Sequence, residues 1–164
     1  MTKNRLSLLD LVRQSVIASI YVLMVFAFQF MSFDAIQFRI AEVLLILVFF
    51  DKKSVIGLSI GLVVANLFSP LLPYDMTFGV AATLISLALL VLLRKRPYIA
   101  LLMPPVVNAL IIGFMLYLAL GSPFLLNALY VFIGEFVVVY VFGLPIYYIL
   151  KKIEFELVYF PESK

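Results

Sequence analysis

The chain has 164 residues, of which 66% are hydrophobic and only 13% charged, with a net charge of +3 and a mean hydropathy of +1.22. A soluble domain carries about 25% charged residues, so this composition excludes one and describes a membrane protein. The absence of Cys and His removes disulfides, thiolate chemistry and the usual transition-metal donors, and the dispersed basic residues form no nucleic-acid footprint.

A helix crossing the hydrocarbon needs about 20 mostly apolar residues, which leaves room for about six spans and no separate soluble domain. The predicted spans, in chain order, are Leu11–Met31, Phe33–Phe50, Ser54–Ser69, Met76–Leu93, Ile99–Leu120 and Leu125–Leu150, within one domain covering residues 1–164. The first is too long for the apolar segment of a signal peptide and has no small-residue cleavage site behind it, so it reads as a membrane helix. Asp51-Lys52-Lys53, Arg94-Lys95-Arg96-Pro97 and Lys151-Lys152 follow the second, fourth and sixth spans, whereas the intervening loops hold no Lys or Arg. Of the 12 basic residues only Arg39 falls on the opposite side. The positive-inside rule therefore predicts an all-α bundle of six transmembrane helices with both termini cytoplasmic.

The polar residues inside these apolar runs are the candidates for function. Glu135 is a carboxylate near mid-membrane, where a charge is costly, and it is either a ligand or proton site or a neutral acid bonded to a neighbouring helix. At 1.5 Å per residue, Asn66 lies roughly 18 Å from Ser54, and Glu135 roughly 15 Å from the outer start of its helix. Asn108 reaches a similar depth from the inner side. Asn127, Val131 and Glu135 form an i, i+4, i+8 stripe, with Tyr130 beside it as a candidate for stacking on a flat ligand. Arg39 and Glu42, three residues apart, can pair with each other. Asp75 reads as a solvated loop acid or a helix N-cap. These placements predict polar groups converging on a pocket open to the outside, although each asparagine taken alone could be interhelical glue.

On the first span, Ser15 and Ser19 make a small-xxx-small face with Ala18 beside it, suited either to docking another helix or to internal packing. The chain has no G-x-x-x-x-G-K-[ST] phosphate loop, no paired broken helices of the secondary-transporter kind, and no GxSxG or zinc motif; neither an enzyme nor a metal site is expected.

Four blocks carry a resemblance. Phe33-Asp34-Ala35-Ile36-Gln37-Phe38-Arg39-Ile40-Ala41-Glu42 resembles the signature between the first two helices of the queuosine-precursor transporters of the QueT family. Ala65-Asn66-Leu67-Phe68-Ser69-Pro70, Pro104-Pro105-Val106-Val107-Asn108-Ala109, and Asn127-Ala128-Leu129-Tyr130 with Gly134-Glu135 resemble three further blocks, in order along the chain. The resemblance implies an S-component-like bundle, the substrate-capturing subunit of an energy-coupling factor (ECF) transporter. Such a subunit works with a transmembrane coupling subunit and two cytoplasmic ATPases, without a cofactor of its own. It also implies a 7-deazaguanine ligand such as preQ1 or queuine.

For such a ligand, Glu135 would accept the adjacent N–H donors of the guanine-like edge, and Asn108, Asn66 or Asn127 would meet its carbonyl and ring nitrogen. Glu42 or Asp75 would offset the aminomethyl cation of preQ1. Gln37 and Arg39 would form a lid or fix Glu42. In this family the first helix carries an Ala-xxx-Ala-type contact to the coupling subunit; here Ser15 and Ser19 stand at the comparable small positions. An S component for another vitamin-like nutrient and a stand-alone proton-coupled carrier using Glu135 are the alternatives.

Overall fold

A computed structural model describes residues 7–29 and 38–159, so the first half of the Phe33–Glu42 block, Gln37 included, lies outside the described residues. All regular structure among the described residues is helical, with no strand. Four helices are long and apolar enough to cross a membrane: α1 (Leu8–Ala27), α4 (Leu72–Leu93), α5 (Pro97–Leu120) and α6 (Phe124–Lys152). Two shorter apolar helices, α2 (Ile40–Phe49) and α3 (Ser54–Asn66), lie between α1 and α4, and a short α7 (Phe155–Tyr159) follows α6. Large apolar side chains such as Leu23, Ile60, Leu92, Leu110 and Leu125 are exposed, as a lipid-facing surface requires.

The helix boundaries shift from the predicted spans for local reasons. α1 starts at Leu8 because Ser7 and Asp10 form a reciprocal capping box that satisfies the first free N–H groups. α4 starts at Leu72, with Pro73 in its first turn, where a missing N–H costs nothing. α5 starts on Pro97 for the same reason and stops at Gly121, whose φ of 69° is the left-handed conformation that ends a helix.

The largest departure is α2. Instead of an α-helix over Phe33–Phe50, the described part is a ten-residue 3₁₀ helix. At about 2 Å per residue it spans roughly 20 Å, and the 13 residues of α3 span about the same. With three residues per turn, Arg39, Glu42, Leu45 and Val48 stack in one row, and all four are buried. In an α-helix each such step would drift by about 60°, carrying Val48 to the face opposite Arg39.

α1 packs against α3 through a seam of small residues. A Cβ on Gly57 would meet the Gln14 carbonyl oxygen at 2.6 Å, and one on Gly61 would meet Tyr21 Cβ at 2.8 Å and the Ala18 oxygen at 2.9 Å. Gly57 and Gly61 are a G-x-x-x-G pair that lets two backbones approach closely. Gln14 Oε1 accepts from the Gly57 N–H at 3.1 Å, and Lys53 Nζ pairs with Asp10 Oδ2 at 2.6 Å, tying the ends of both helices. Gly61→Leu is expected to force the helices apart and destabilise the protein by about 1–3 kcal/mol, read as a fall in the detergent unfolding midpoint.

Two apolar clusters make the interior. One includes Leu45, Leu58, Leu62, Leu87, Leu90, Val138 and Val139; the smaller holds Ala82, Ile112, Met115, Leu116 and Val131. Along α4 and α6 the polar residues Thr83 and Glu135 fall between members of the two clusters.

Candidate functional site

Four helices deliver one buried polar cluster. Glu42 comes from the buried row of α2, Thr83 from α4, Asn108 from the turn after Pro104-Pro105 of α5, and Glu135 from α6. Glu42, Asn108 and Glu135 have no exposed surface, and Thr83 is 1% exposed. The polar helices therefore converge on an enclosed cluster instead of the outward-open pocket expected from their depth.

Asn108 joins the two acids. Its Nδ2 donates to Glu42 Oε2 at 3.1 Å and to Glu135 Oε1 at 2.9 Å, so each amide hydrogen serves one carboxylate. Carboxyl oxygens accept both of these bonds, so the amide nitrogen faces the two acids and the amide oxygen points elsewhere. Thr83 Oγ1 donates to Glu42 Oε1 at 3.2 Å, and Arg39 Nη1 stands 3.2 Å from the same oxygen. The predicted Arg39–Glu42 pairing is thus present, with Arg39 itself 9% exposed. Asn108 Oδ1 and Glu135 Oε2 are buried without a hydrogen-bond partner among the described residues. Buried polar atoms without partners are expensive, and two such acceptors in one cluster fit a ligand that brings N–H donors.

The other predicted residues lie elsewhere. Asn66 donates to the Asp75 backbone oxygen at 3.1 Å, and Asp75 Oδ2 accepts from Ser69 Oγ. Asp75 is 7% exposed and starts a π-helical turn, Asp75–Gly79, so it is neither a solvated loop acid nor an N-cap. Burial between α3 and α4 overrides its loop-like composition. Asn127 donates from Nδ2 to Ser122 Oγ at 2.8 Å and to the Ser122 oxygen at 3.2 Å, fastening the turn into α6. Tyr130 is half-buried. Sequence reading also missed Thr83, whose only signal is a hydroxyl in the apolar middle of α4.

Glu42, Asp75 and Glu135 each sit in or beside an irregular helical stretch. Glu42 is in the 3₁₀ helix, Asp75 opens one π segment, and Glu135 immediately precedes the other, Phe136–Phe142. Such departures from regular geometry recur at functional sites. Among the described residues no group of three or more His, Cys, Asp or Glu is placed to hold a metal ion.

The small residues of α1 divide by role. Ala18 is buried against Gly61 in the α1–α3 seam, while Ser15 and Ser19 are exposed. Their hydroxyls donate to the Leu11 and Ser15 carbonyls at 2.9 and 2.8 Å, so neither needs a partner from outside. With Val22, Ile60 and Val64 they line a shallow groove of about 530 Å³.

Residues 11–152 match the QueT transporter family. The chain is also 35% identical, over 89 residues, to the queuosine precursor transporter QueT of Lactococcus lactis subsp. cremoris (strain MG1363); the alignment covers 53% of this chain and 52% of that protein. The chain thus spans about half the length of the curated relative it matches. No solved structure matches. A family match over nearly the whole chain, on a helical membrane architecture, means that this protein belongs to the QueT transporter family.

Proposed function

We propose that the protein binds a queuosine precursor, a 7-deazaguanine such as preQ1 or queuine, and delivers it across the cell membrane as the S component of an ECF transporter. The observation that carries this reading is the enclosed Glu42–Asn108–Glu135 cluster, with Glu135 Oε2 and Asn108 Oδ1 lacking donors. A guanine-like edge supplies adjacent N–H groups, and a carboxylate that accepts them makes charge-assisted bonds. Glu135 and Asn108 read the base in this proposal, and Glu42 faces its substituent. Arg39 fixes Glu42 in this proposal, while Asn66 and Asn127, whose amides are held by Asp75 and Ser122, take no part in reading the base.

In this reading residues 1–164 form one domain of six spans, with α2 and α3 as short ones and both termini cytoplasmic. The basic groups after α2, α4 and α6 support that orientation. A transmembrane coupling subunit docks on the Ser15–Ser19 face of α1, and two cytoplasmic ATPases supply the energy; the protein is not itself an enzyme.

The test is binding of preQ1 and queuine to the purified chain, followed calorimetrically, with guanine and thiamine as controls. Selective binding of a 7-deazaguanine supports the reading, and failure of both compounds to bind folded protein overturns the ligand assignment. Because Ser19 is exposed beside the groove, Ser19→Phe is expected to abolish uptake by cells carrying the full transporter and to spare ligand binding. Loss of both would assign Ser19 to internal packing.

A further inference from the structure

Arg39, like Asn108 and Glu135, brings the cluster one buried polar atom without a hydrogen-bond partner. Its Nη1 is 3.2 Å from Glu42 Oε1 but is not aligned for a hydrogen bond, and it has no other partner among the described residues. Glu42 does not depend on it for hydrogen bonding, since Thr83 serves Oε1 and Asn108 serves Oε2. A buried ion pair offsets the cost of desolvation only when its geometry is good and its remaining protons are bonded. This one meets neither condition, so it is the contact in the cluster easiest to exchange.

The charges point the same way. Glu42 and Glu135 are both fully buried, and the Arg39 guanidinium is the cation paired with Glu42. The atoms without partners are two acceptors, Glu135 Oε2 and Asn108 Oδ1, and one donor, Arg39 Nη1. A ligand that brings N–H donors and a positive charge answers both acceptors and takes the place of Arg39 on Glu42. Arg39 stands at the start of a 3₁₀ helix and makes no side-chain cap hydrogen bond there, so no helix-capping role holds it in place.

We propose, resting on the 7-deazaguanine reading above, that Arg39 is the resident counter-ion of Glu42. It holds Glu42 until a cationic group of the ligand displaces it, and so determines how strongly the site prefers a protonated amine to an uncharged substituent. A resident competitor lowers the apparent affinity of the ligand by the fraction of sites it occupies, and removing it restores that affinity.

The experiment compares preQ1, which carries a protonated aminomethyl group, with its uncharged 7-cyano counterpart, by calorimetry on the full-length protein. Arg39→Gln is expected to tighten preQ1 by roughly tenfold relative to the cyano compound. Weaker binding of preQ1, or an equal change for both compounds, would overturn the proposal and assign Arg39 a direct contact with the base. Because Arg39→Gln leaves Glu42 without its counter-ion and can fail to fold, Arg39→Gln/Glu42→Gln is measured beside it. The double variant is expected to bind the two compounds equally, and a persisting preference for the amine would overturn the proposal. Failure of wild-type protein to bind either compound overturns the 7-deazaguanine reading and the Arg39 role with it, a result separable from every one above.

Discussion

Glu135→Gln is expected to weaken binding of the 7-deazaguanine ligand by about 100-fold, equivalent to about 3 kcal/mol. Glu135 Oε1 is already held by Asn108, and Oε2 is the free acceptor that a ligand N–H would reach. An amide at this position offers one acceptor and one donor where the carboxylate offers two acceptors. Whichever way it turns, it either confronts the Asn108 Nδ2 with another N–H or presents one to the ligand. Hydrogen bonds to a charged group contribute about 1.5–3 kcal/mol each, so losing one and opposing another reaches the stated size. The volume is unchanged, and the unfolding midpoint is expected to stay near that of wild type. Calorimetric titration alongside a thermal melt checks both, and unchanged affinity would remove the carboxylate from the recognition chemistry.

Asn108→Leu is expected to be the most destabilising single change in the interior, by about 3–5 kcal/mol. The side chains are similar in size, so the effect isolates the loss of the bridge. Both amide hydrogens disappear, leaving Glu42 Oε2 and Glu135 Oε1 with no exposed surface and no shared donor. Two neighbouring carboxylates in that state repel each other and are poorly solvated. Asn108→Leu combined with Glu135→Leu is expected to recover part of the loss, because an apolar pair leaves no orphaned carboxylate on α6. A thermal melt of the single and double variants decides it. Equal stability of Asn108→Leu and wild type would mean that the two acids are not coupled through the amide.

The sequence made some of this site legible and hid the rest for identifiable reasons. Glu135 stood out because a lone acid in an apolar run has few structural uses, and the Arg39–Glu42 pair because three residues bring side chains to one face in either helix type. Asn108 was visible as a candidate, but its bonds reach residues 66 and 27 positions away in sequence. Periodicity reports the face of a helix and says nothing of which helix lies opposite. Asn66 and Asn127 carried the same signal as Asn108, yet their amides are taken up by Asp75 and by Ser122 in nearby turns. The sequence reading singled out neither the Gly57–Gly61 pair that makes the α1–α3 seam nor the Ser7–Asp10 capping box that starts α1. The 3₁₀ form of α2 was not readable, because an almost uniformly apolar run is buried equally well at either period.

That three-residue period makes chain length in α2 as constraining as residue identity. Removing a single residue between Glu42 and Val48 would turn everything before it by about 120°, one third of a 3₁₀ turn. Arg39 and Glu42 would keep their own spacing and could still pair, but Glu42 would leave Thr83 and Asn108 behind. The segment is therefore open to exchange among apolar residues of similar size at Leu45 and Val48, and closed to insertion or deletion. A relative that aligned through α2 only by opening a one-residue gap would keep both charged residues and lose the site they belong to.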